Sequence, residues 1–331
     1  MTRTLKITTQ IAKDALLKFP NTGKNTLAVK IYNENPGVYT SKEHARKTIR
    51  TLTGASGEAH RQKNYVDFRK ELNALKKELP KGESEKKEPY ILPKANRNIL
   101  IISDIHMPYH DDDALFSALE YGIQQKVDTV IINGDLLDFS QISRHEKDPR
   151  KRSVSYEIDC AKVFLNGLRK MFPKALIVWS YGNHDHRYDK WIMQKAPELL
   201  DIESIQLHEL MKLNELSIIK VDSMQYIYAG KIAIFHGHET GLKSGGVNPA
   251  RSLRLKLNKS AIVSHFHRET KDTGKALGDN PYACYSIACL CDLHPNYLPI
   301  NDHTHGFGHL ILDKNGNYRF SQKAIIDGKV Y

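Results

Sequence analysis

Residues 98–106, NILIISDIH, decide the reading of this chain: an unbroken apolar run ends abruptly in an acid and a histidine two positions apart. A short continuous apolar run is the mark of a strand buried on both faces. In an extended segment Asp104 and His106 point the same way and can grip one cation. The pattern recurs at DTVIINGDLLD (128–138), ALIVWSYGNHDHR (175–187), KIAIFHGHE (231–239) and AIVSHFHR (261–268). Helical segments separate the first three runs, DDALFSALEYGIQQ (112–125) and a stretch over about 155–172. Strands alternating with helices predict a parallel or mixed sheet covered on both faces.

Further along, SIIKV (217–221), QYIYA (225–229) and YACYSIA (282–288) add strands, PARSLRLKLN (249–258) adds one clear helix, and Asn315-Gly316 marks a hairpin turn. The fold class expected is therefore α/β, with two packed mixed sheets flanked by helices. Ligands in such folds bind where strands finish. The strand ends deliver Asp104 and His106, then Asp135 with Asp138 one turn on, then Asn183, His184 and Asp185, then His236 and His238, then His265 and His267. Gly134 permits close backbone approach, and Gly182 opens the tight turn before Asn183. A lone histidine at a strand end is usually structural; five blocks in succession, with no thiolate among them, point to a two-metal centre of the Mn, Fe or Zn kind. Asp135 stands alone at the centre of the set and is the natural bridge. The four cysteines (Cys160, Cys284, Cys289, Cys291) form no CxxC pair, so neither a zinc knuckle nor a disulfide scaffold is expected, and Cys289 and Cys291 read as small apolar packing groups.

Ahead of this region the composition changes. Residues 1–95 hold 20 Lys+Arg against 10 Asp+Glu, while residues 96–331 hold 29 against 28, so nearly all of the net charge of +11 lies in the first part. That concentration suits a polyanion partner such as nucleic acid. Helical spacing appears in TTQIAKDALLKF (8–19), NTLAVKIY (25–32), KEHARKTIRTL (42–52) and VDFRKELNALKKEL (66–79), the last with Phe68, Leu72, Leu75 and Leu79 in phase. Ser41 can cap the third helix, whose free face carries Lys42, Arg46, Lys47 and Arg50 and resembles the second helix of a DNA-binding helix-turn-helix. Residues 80–95 are charged and proline-punctuated, as a linker is. No apolar run reaches a membrane span, and the first residues lack the apolar core of a signal peptide.

The blocks D-x-H, G-D, G-N-H-D, H-G-H and H-x-H, in this order over about residues 98–270, resemble the calcineurin-like metallophosphoesterase family. One departure is Ser264, where the family usually has glycine. The resemblance implies that Asp104, His106 and His267 hold one metal and Asn183, His236 and His265 the other, with Asp135 bridging both. It further implies that His184 protonates or hydrogen-bonds the leaving group and that Asp185 orients its ring. Arg187 and Arg268 could clamp a phosphate oxygen, and Gly245-Gly246 could serve a mobile flap. The expected layout is a basic helical domain over 1–79, a linker over 80–95 and a metallophosphoesterase domain over 96–331. The expected cofactors are two divalent ions, Mn2+ first, with Fe, Zn, Ni or Mg as substitutes. The expected activity is hydrolysis of phosphodiesters, of DNA as a nuclease would, by a hydroxide shared between the ions. The alternatives are a protein or small-nucleotide phosphomonoesterase and an inactive DNA-binding adaptor. The expected partner is nucleic acid, with no membrane, and the expected location is the cytoplasm of a bacterium or a phage-infected host.

Overall fold

The computed structural model describes residues 7–54, 58–144, 153–242, 246–275, 277–278, 280–295 and 298–331. The chain divides into two compact units, Met1–Glu85 and Lys86–Tyr331.

The first unit is all-helical: α1 Ile7–Lys18, α2 Lys24–Glu34, α3 Lys42–Leu52 and α4 Glu58–Glu78. Ala12 and Ala15 of α1, Leu27, Ala28 and Ile31 of α2, and Ala45 and Ile49 of α3 close around Tyr39 as a small core. Small residues where the helices meet let the backbones approach closely, which suits a core this size. Ser41 caps α3, its hydroxyl accepting the His44 N–H at 3.1 Å. The α2–α3 connection, residues 35–41, is longer than the three- or four-residue turn of a helix-turn-helix.

The second unit contains β1 Tyr90–Ile91, β2 Asn98–Ile102, α5 Asp112–Gln124, β3 Thr129–Asn133, α6 Val154–Met171, β4 Leu176–Ser180, α7 Arg187–Lys195, α8 Leu207–Leu210 and β5 Ile218–Val221. It continues with β6 Ile227–Ala229, β7 Ile232–Phe235, α9 Pro249–Leu257, β8 Ala261–Val263, β9 Thr270–Gly274, β10 Tyr282–Ser286, β11 Gly306–Leu312, β12 Tyr318–Ile326 and β13 Lys329–Val330. One mixed sheet has the order β13-β12-β11-β2-β3-β4-β5 and the other β1-β6-β7-β8-β10-β9. In the first, β2, β3, β4 and β5 run parallel and β11 lies antiparallel against β2.

The continuous apolar runs work as their composition requires. Ile99 and Ile101 face the other sheet, where they meet Ile227, Ile234 and Ile262. Leu100 and Ile102 face away from it, against Leu115, Ala118 and Leu119 of α5, in the same core as Leu165 and Leu168 of α6. Both faces of β2 are thus dry from Ile99 to Ile102, and the strand then opens at its C-terminal end into Ser103 and Asp104.

Among the elements that depart from the sequence expectation, three have a clear physical reason. Tyr90 and Ile91, inside the predicted linker, pair with Ile227 and Tyr228, and Leu92 is buried between the sheets, so the end of that stretch belongs to the second unit. Helix α7 begins at once after the histidine turn and buries only Ile192, which left too little apolar period to read. Strand β9 is polar, TKDTG, and lies at a sheet edge where solvent takes one side. No helix among the described residues is long and apolar enough to cross a membrane.

Candidate metal centre

The strand ends of the two sheets meet at one place. Asp104 and His106 follow β2, Asp135 follows β3, and Asn183, His184 and Asp185 follow β4; His236 follows β7, and His265 and His267 follow β8. Five of these residues have left-handed backbone: Asp104 (φ 51°), His106 (50°), Asp135 (52°), His265 (67°) and His267 (56°). Asp and His tolerate that region better than most residues, yet each such conformation costs on the order of 1–3 kcal/mol and persists only where the surroundings enforce it. The enforcing contacts are visible. A Cβ on Gly134 would fall 2.2 Å from His236 Nδ1, and one on Gly182 would fall 2.1 Å from Asp135 Oδ1, so only glycine lets these turns close.

Asp135 is central. Its Oδ1 accepts the His184 backbone N–H at 2.8 Å, while its Oδ2 lies 3.1 Å from His236 Nε2 and 3.8 Å from His106 Nε2. On one side, His106 Nε2 and His267 Nε2 are 3.3 Å apart, and His267 Nε2 is 3.2 Å from Asp104 Oδ1. On the other, His236 Nε2 is 3.2 Å from Asn183 Oδ1, and Asp135, His236 and His265 gather their ligand atoms within 4.8 Å. The seven residues expected as ligands from the sequence are thus brought together.

The donor chemistry fits cations. His236 Nδ1 lies 2.8 Å from the Asn133 carbonyl, which only accepts, so Nδ1 carries the hydrogen. The Nε2 lone pair of a neutral ring then faces two oxygens, Asp135 Oδ2 and Asn183 Oδ1, with no hydrogen between them. Only a second proton or a cation satisfies that arrangement. His106 repeats the logic: its Nδ1 sits 3.2 Å from Asp138 Oδ1, which turns its Nε2 lone pair toward His267 Nε2. For Asp104, Asp135 and Asp138 burial works to raise the carboxyl pKa. The imidazoles outweigh it and hold all three below the usual carboxylate range. Burial likewise works to lower His236, but the charge and hydrogen bond of Asp135 bring it up to about 10.

Several expectations need correction. Asp185 does not orient the His184 ring: it accepts the N–H groups of Asp135 (2.9 Å), Gly182 (2.8 Å) and Leu137 (3.0 Å) and the Trp179 indole N–H (3.3 Å). It ties the β3 and β4 turns together, and burial with the charge of Asp135 pushes its carboxyl up to about 7 against those donors. The His184 ring is held instead by Asp138, whose carbonyl lies 2.9 Å and carboxylate 3.3 Å from Nδ1. Arg187 donates to His184 Nε2 at 2.9 Å and to the Asp138 carbonyl at 2.8 Å. Because guanidinium only donates, His184 is neutral here with its hydrogen on Nδ1, and burial lowers its pKa further. Arg268 is engaged elsewhere, by the Asp302 carboxylate and the Gly246 carbonyl. Cys291 is more than packing: its Sγ lies 3.8 Å from His267 Nδ1 and joins His106 and His267 in a ligand-sized group. Gly245, half of the expected flap, lies outside the described residues.

Sequence reasoning noticed Asp138 without giving it a task, and passed over Glu239. The Glu239 carboxylate accepts the N–H groups of His236 (2.8 Å) and Gly237 (2.7 Å) and sets the turn after β7. An acid two residues after a glycine was the available signal for such a turn. Ser264 does not disturb its turn: its hydroxyl donates to the Asn133 carbonyl at 2.9 Å, the acceptor that also steadies His236. His238 meets the Ser223 hydroxyl at 2.9 Å, and the His303 ring lies 4.6 Å from the His267 ring, tilted to it by 58°. His309 lies between Tyr121 and Asn98, away from the cluster.

The chain resembles several known proteins. The chain is 27% identical over 181 residues to the Gene 54 protein of Mycobacterium phage L5, covering 53% of this chain and 70% of that protein. The corresponding protein of Mycobacterium phage D29 is 24% identical over 181 residues, with the same coverage. Solved structures that it resembles include Vacuolar Protein Sorting 29 of Cryptosporidium parvum (TM-score 0.40, 16% identity, 71% of this chain and 95% of that one). Another is Yfce, a phosphoesterase from E. coli (TM-score 0.32, 15% identity, 69% and 100%). The family model of the calcineurin-like phosphoesterases matches residues 97–312, every strand-end block included. Spanning well over half of the chain, that match makes this protein a member of the calcineurin-like phosphoesterase family, metal-dependent hydrolases of phosphate esters.

Proposed function

We propose that the chain hydrolyses phosphodiester bonds of nucleic acid at a dinuclear centre, with Mn2+ as the working ion. The observation that carries the two-ion reading is Asp135 Oδ2, which faces His236 Nε2 at 3.1 Å and His106 Nε2 at 3.8 Å from between the two donor groups. Asp104, His106 and His267 would hold one ion, Asn183, His236 and His265 the other, and Asp135 both. Bound there, two divalent ions supply Lewis-acid charge and lower the pKa of a shared water toward neutrality.

The chain's own groups supply the rest. The Asp138 carbonyl and carboxylate fix the His184 ring, with the hydrogen on Nδ1, so that Nε2 looks out beside the cluster. Arg187 now satisfies that Nε2. A phosphate oxygen entering beside it offers the guanidinium a stronger, charge-assisted partner. Drawing Arg187 onto the phosphate frees His184 Nε2 to take a proton from solvent water and pass it to the leaving oxygen, returning the ring to its neutral form. Asp185 holds the loops still by gathering three backbone N–H groups.

The nucleic-acid substrate is supported by the charge division of the chain and by α3. Lys42, Lys47 and Arg50 are exposed, while Arg46 spends part of its charge on Glu43 at 3.4 Å. The test is a rate panel in manganese with bis-nitrophenyl phosphate, mono-nitrophenyl phosphate, and single- and double-stranded DNA. The diester and DNA should be cleaved faster than the monoester. Replacing Lys42, Arg46, Lys47 and Arg50 by alanine should spare hydrolysis of the small diester. It should weaken DNA binding and flatten its salt dependence by about 0.9 log unit per log unit of salt for each duplex phosphate that is no longer neutralised. A monoester rate above the diester and DNA rates would move the reading to a phosphatase.

A further inference from the structure

Among the described residues, helix α4 adds no side chain to the core that α1, α2 and α3 share. Its apolar side chains form a stripe instead. Phe68, Leu72, Leu75 and Leu79 are 68%, 49%, 49% and 58% exposed, far more than a core stripe allows. Leu79 continues the helical turn, its N–H reaching the Leu75 carbonyl at 2.8 Å. The intervals are four, three and four residues, the spacing of alternating d and a positions in a heptad, which averages 3.5 and brings one seam to a partner helix along its whole length. With 21 residues the helix is longer than the roughly 12–15 at which isolated helices become marginal.

The charges beside the seam choose the partner. With Phe68 and Leu75 at d and with Leu72 and Leu79 at a, the g positions are Glu71 and Glu78 and the e positions are Arg69 and Lys76. One flank is acidic and the other basic. In a parallel pair, g of one helix meets e of the next heptad on the other, so Glu71 meets Lys76 of a second copy and the pairing is repeated by symmetry. An antiparallel pair would set Glu71 and Glu78 against acids and Lys76 against bases.

We infer that α4 forms a parallel two-stranded coiled coil with α4 of a second copy of this chain, independently of what the phosphoesterase centre cleaves. Two heptads make a reversible contact, half-formed in the range of roughly 1–100 µM. Sedimentation equilibrium of the full chain should show mass rising with concentration from one chain to two and stopping there. Leu72→Asp with Leu75→Asp, both exposed in a single chain, should raise the dissociation constant by roughly 100-fold or more, because each pairing would bury facing charges. Circular dichroism and hydrolysis of bis-nitrophenyl phosphate, unchanged in that variant, establish that the chain is still folded. Orientation is read in two ways. Glu71→Lys alone should weaken pairing by about 3- to 10-fold, and adding Lys76→Glu should restore it. Leu75→Cys should form a disulfide between two copies under mild oxidation. A chain monomeric throughout, a trimer or tetramer, pairing untouched by the double aspartate variant, or a dimeric Leu75→Cys variant that forms no cross-link would each overturn the proposal.

Discussion

The donors around Asp135 fall into two groups that differ in what stands behind them. Behind His106 is the Asp138 carboxylate, and beside His267 is the Cys291 thiol. Behind His236 are two neutral groups, the Asn133 carbonyl at 2.8 Å and the Ser264 hydroxyl at 3.3 Å from Nδ1. A carboxylate that takes the far hydrogen of a ligating imidazole makes the near nitrogen more basic. On the two-ion reading proposed above, the Asp104/His106/His267 group would therefore hold its cation more tightly than the Asn183/His236/His265 group, with Asp135 shared between them. Two sites that look alike as ligand sets differ one layer out.

The largest expected effect erases the comparison. Asp135→Asn removes the charge facing both groups, and hydrolysis should fall by roughly a thousandfold or more, with both ions lost on dialysis. Two retained ions with near-normal turnover would show that another group bridges. His184→Ala should instead keep both ions. The rate should drop by about 100- to 10,000-fold, and the loss should shrink for nitrophenolate, a leaving group that needs little protonation. Equal losses for good and poor leaving groups would remove the proton-transfer role. The sharpest probe of the asymmetry is smaller. Asp138→Asn should weaken only the ion among Asp104, His106 and His267, by about 10- to 100-fold, as seen in metal content during titration with a chelator. Equal weakening of both ions would mean that the outer layer does not distinguish the sites.

The clustering was legible beforehand because the candidate ligands lie at the ends of apolar strands, where a carboxylate or imidazole interrupts Ile and Val and has no business in a dry core. The parts that were not legible depend on distances across the chain. Asp185 adjoins His184 in sequence, yet the tight turn at Gly182 folds its carboxylate back onto the β3 loop, and Asp138, 46 residues earlier, takes the ring. Arg268 follows a ligand block but turns outward to Asp302. Cys291 reaches His267 only because β10 leads into a loop that returns beside β8. The left-handed backbone of Asp104, His106, Asp135, His265 and His267 has no sequence signature, since only Asp135 adjoins a glycine and the other four adopt it where their strands end.

The ligands also come from both sheets. Asp104, His106, Asp135 and Asn183 end strands of the seven-stranded sheet, whereas His236, His265 and His267 end strands of the six-stranded one. Cations bound among them would act as rivets through the sandwich, adding to the hydrogen bonds that Asn133 makes to His236, Ser264 and Phe235 and that Asp104 makes to His265. Architecture and catalysis then share the same fastener, and removing it should loosen the enzyme as well as silence it. At free metal of about 100 times the dissociation constant, binding to the folded state alone adds about 2.7 kcal/mol. Stripping even one such ion should therefore lower the melting temperature of the wild-type chain by roughly 5–10 °C. In Asp135→Asn, which no longer holds them, chelator should leave the melting temperature where it was.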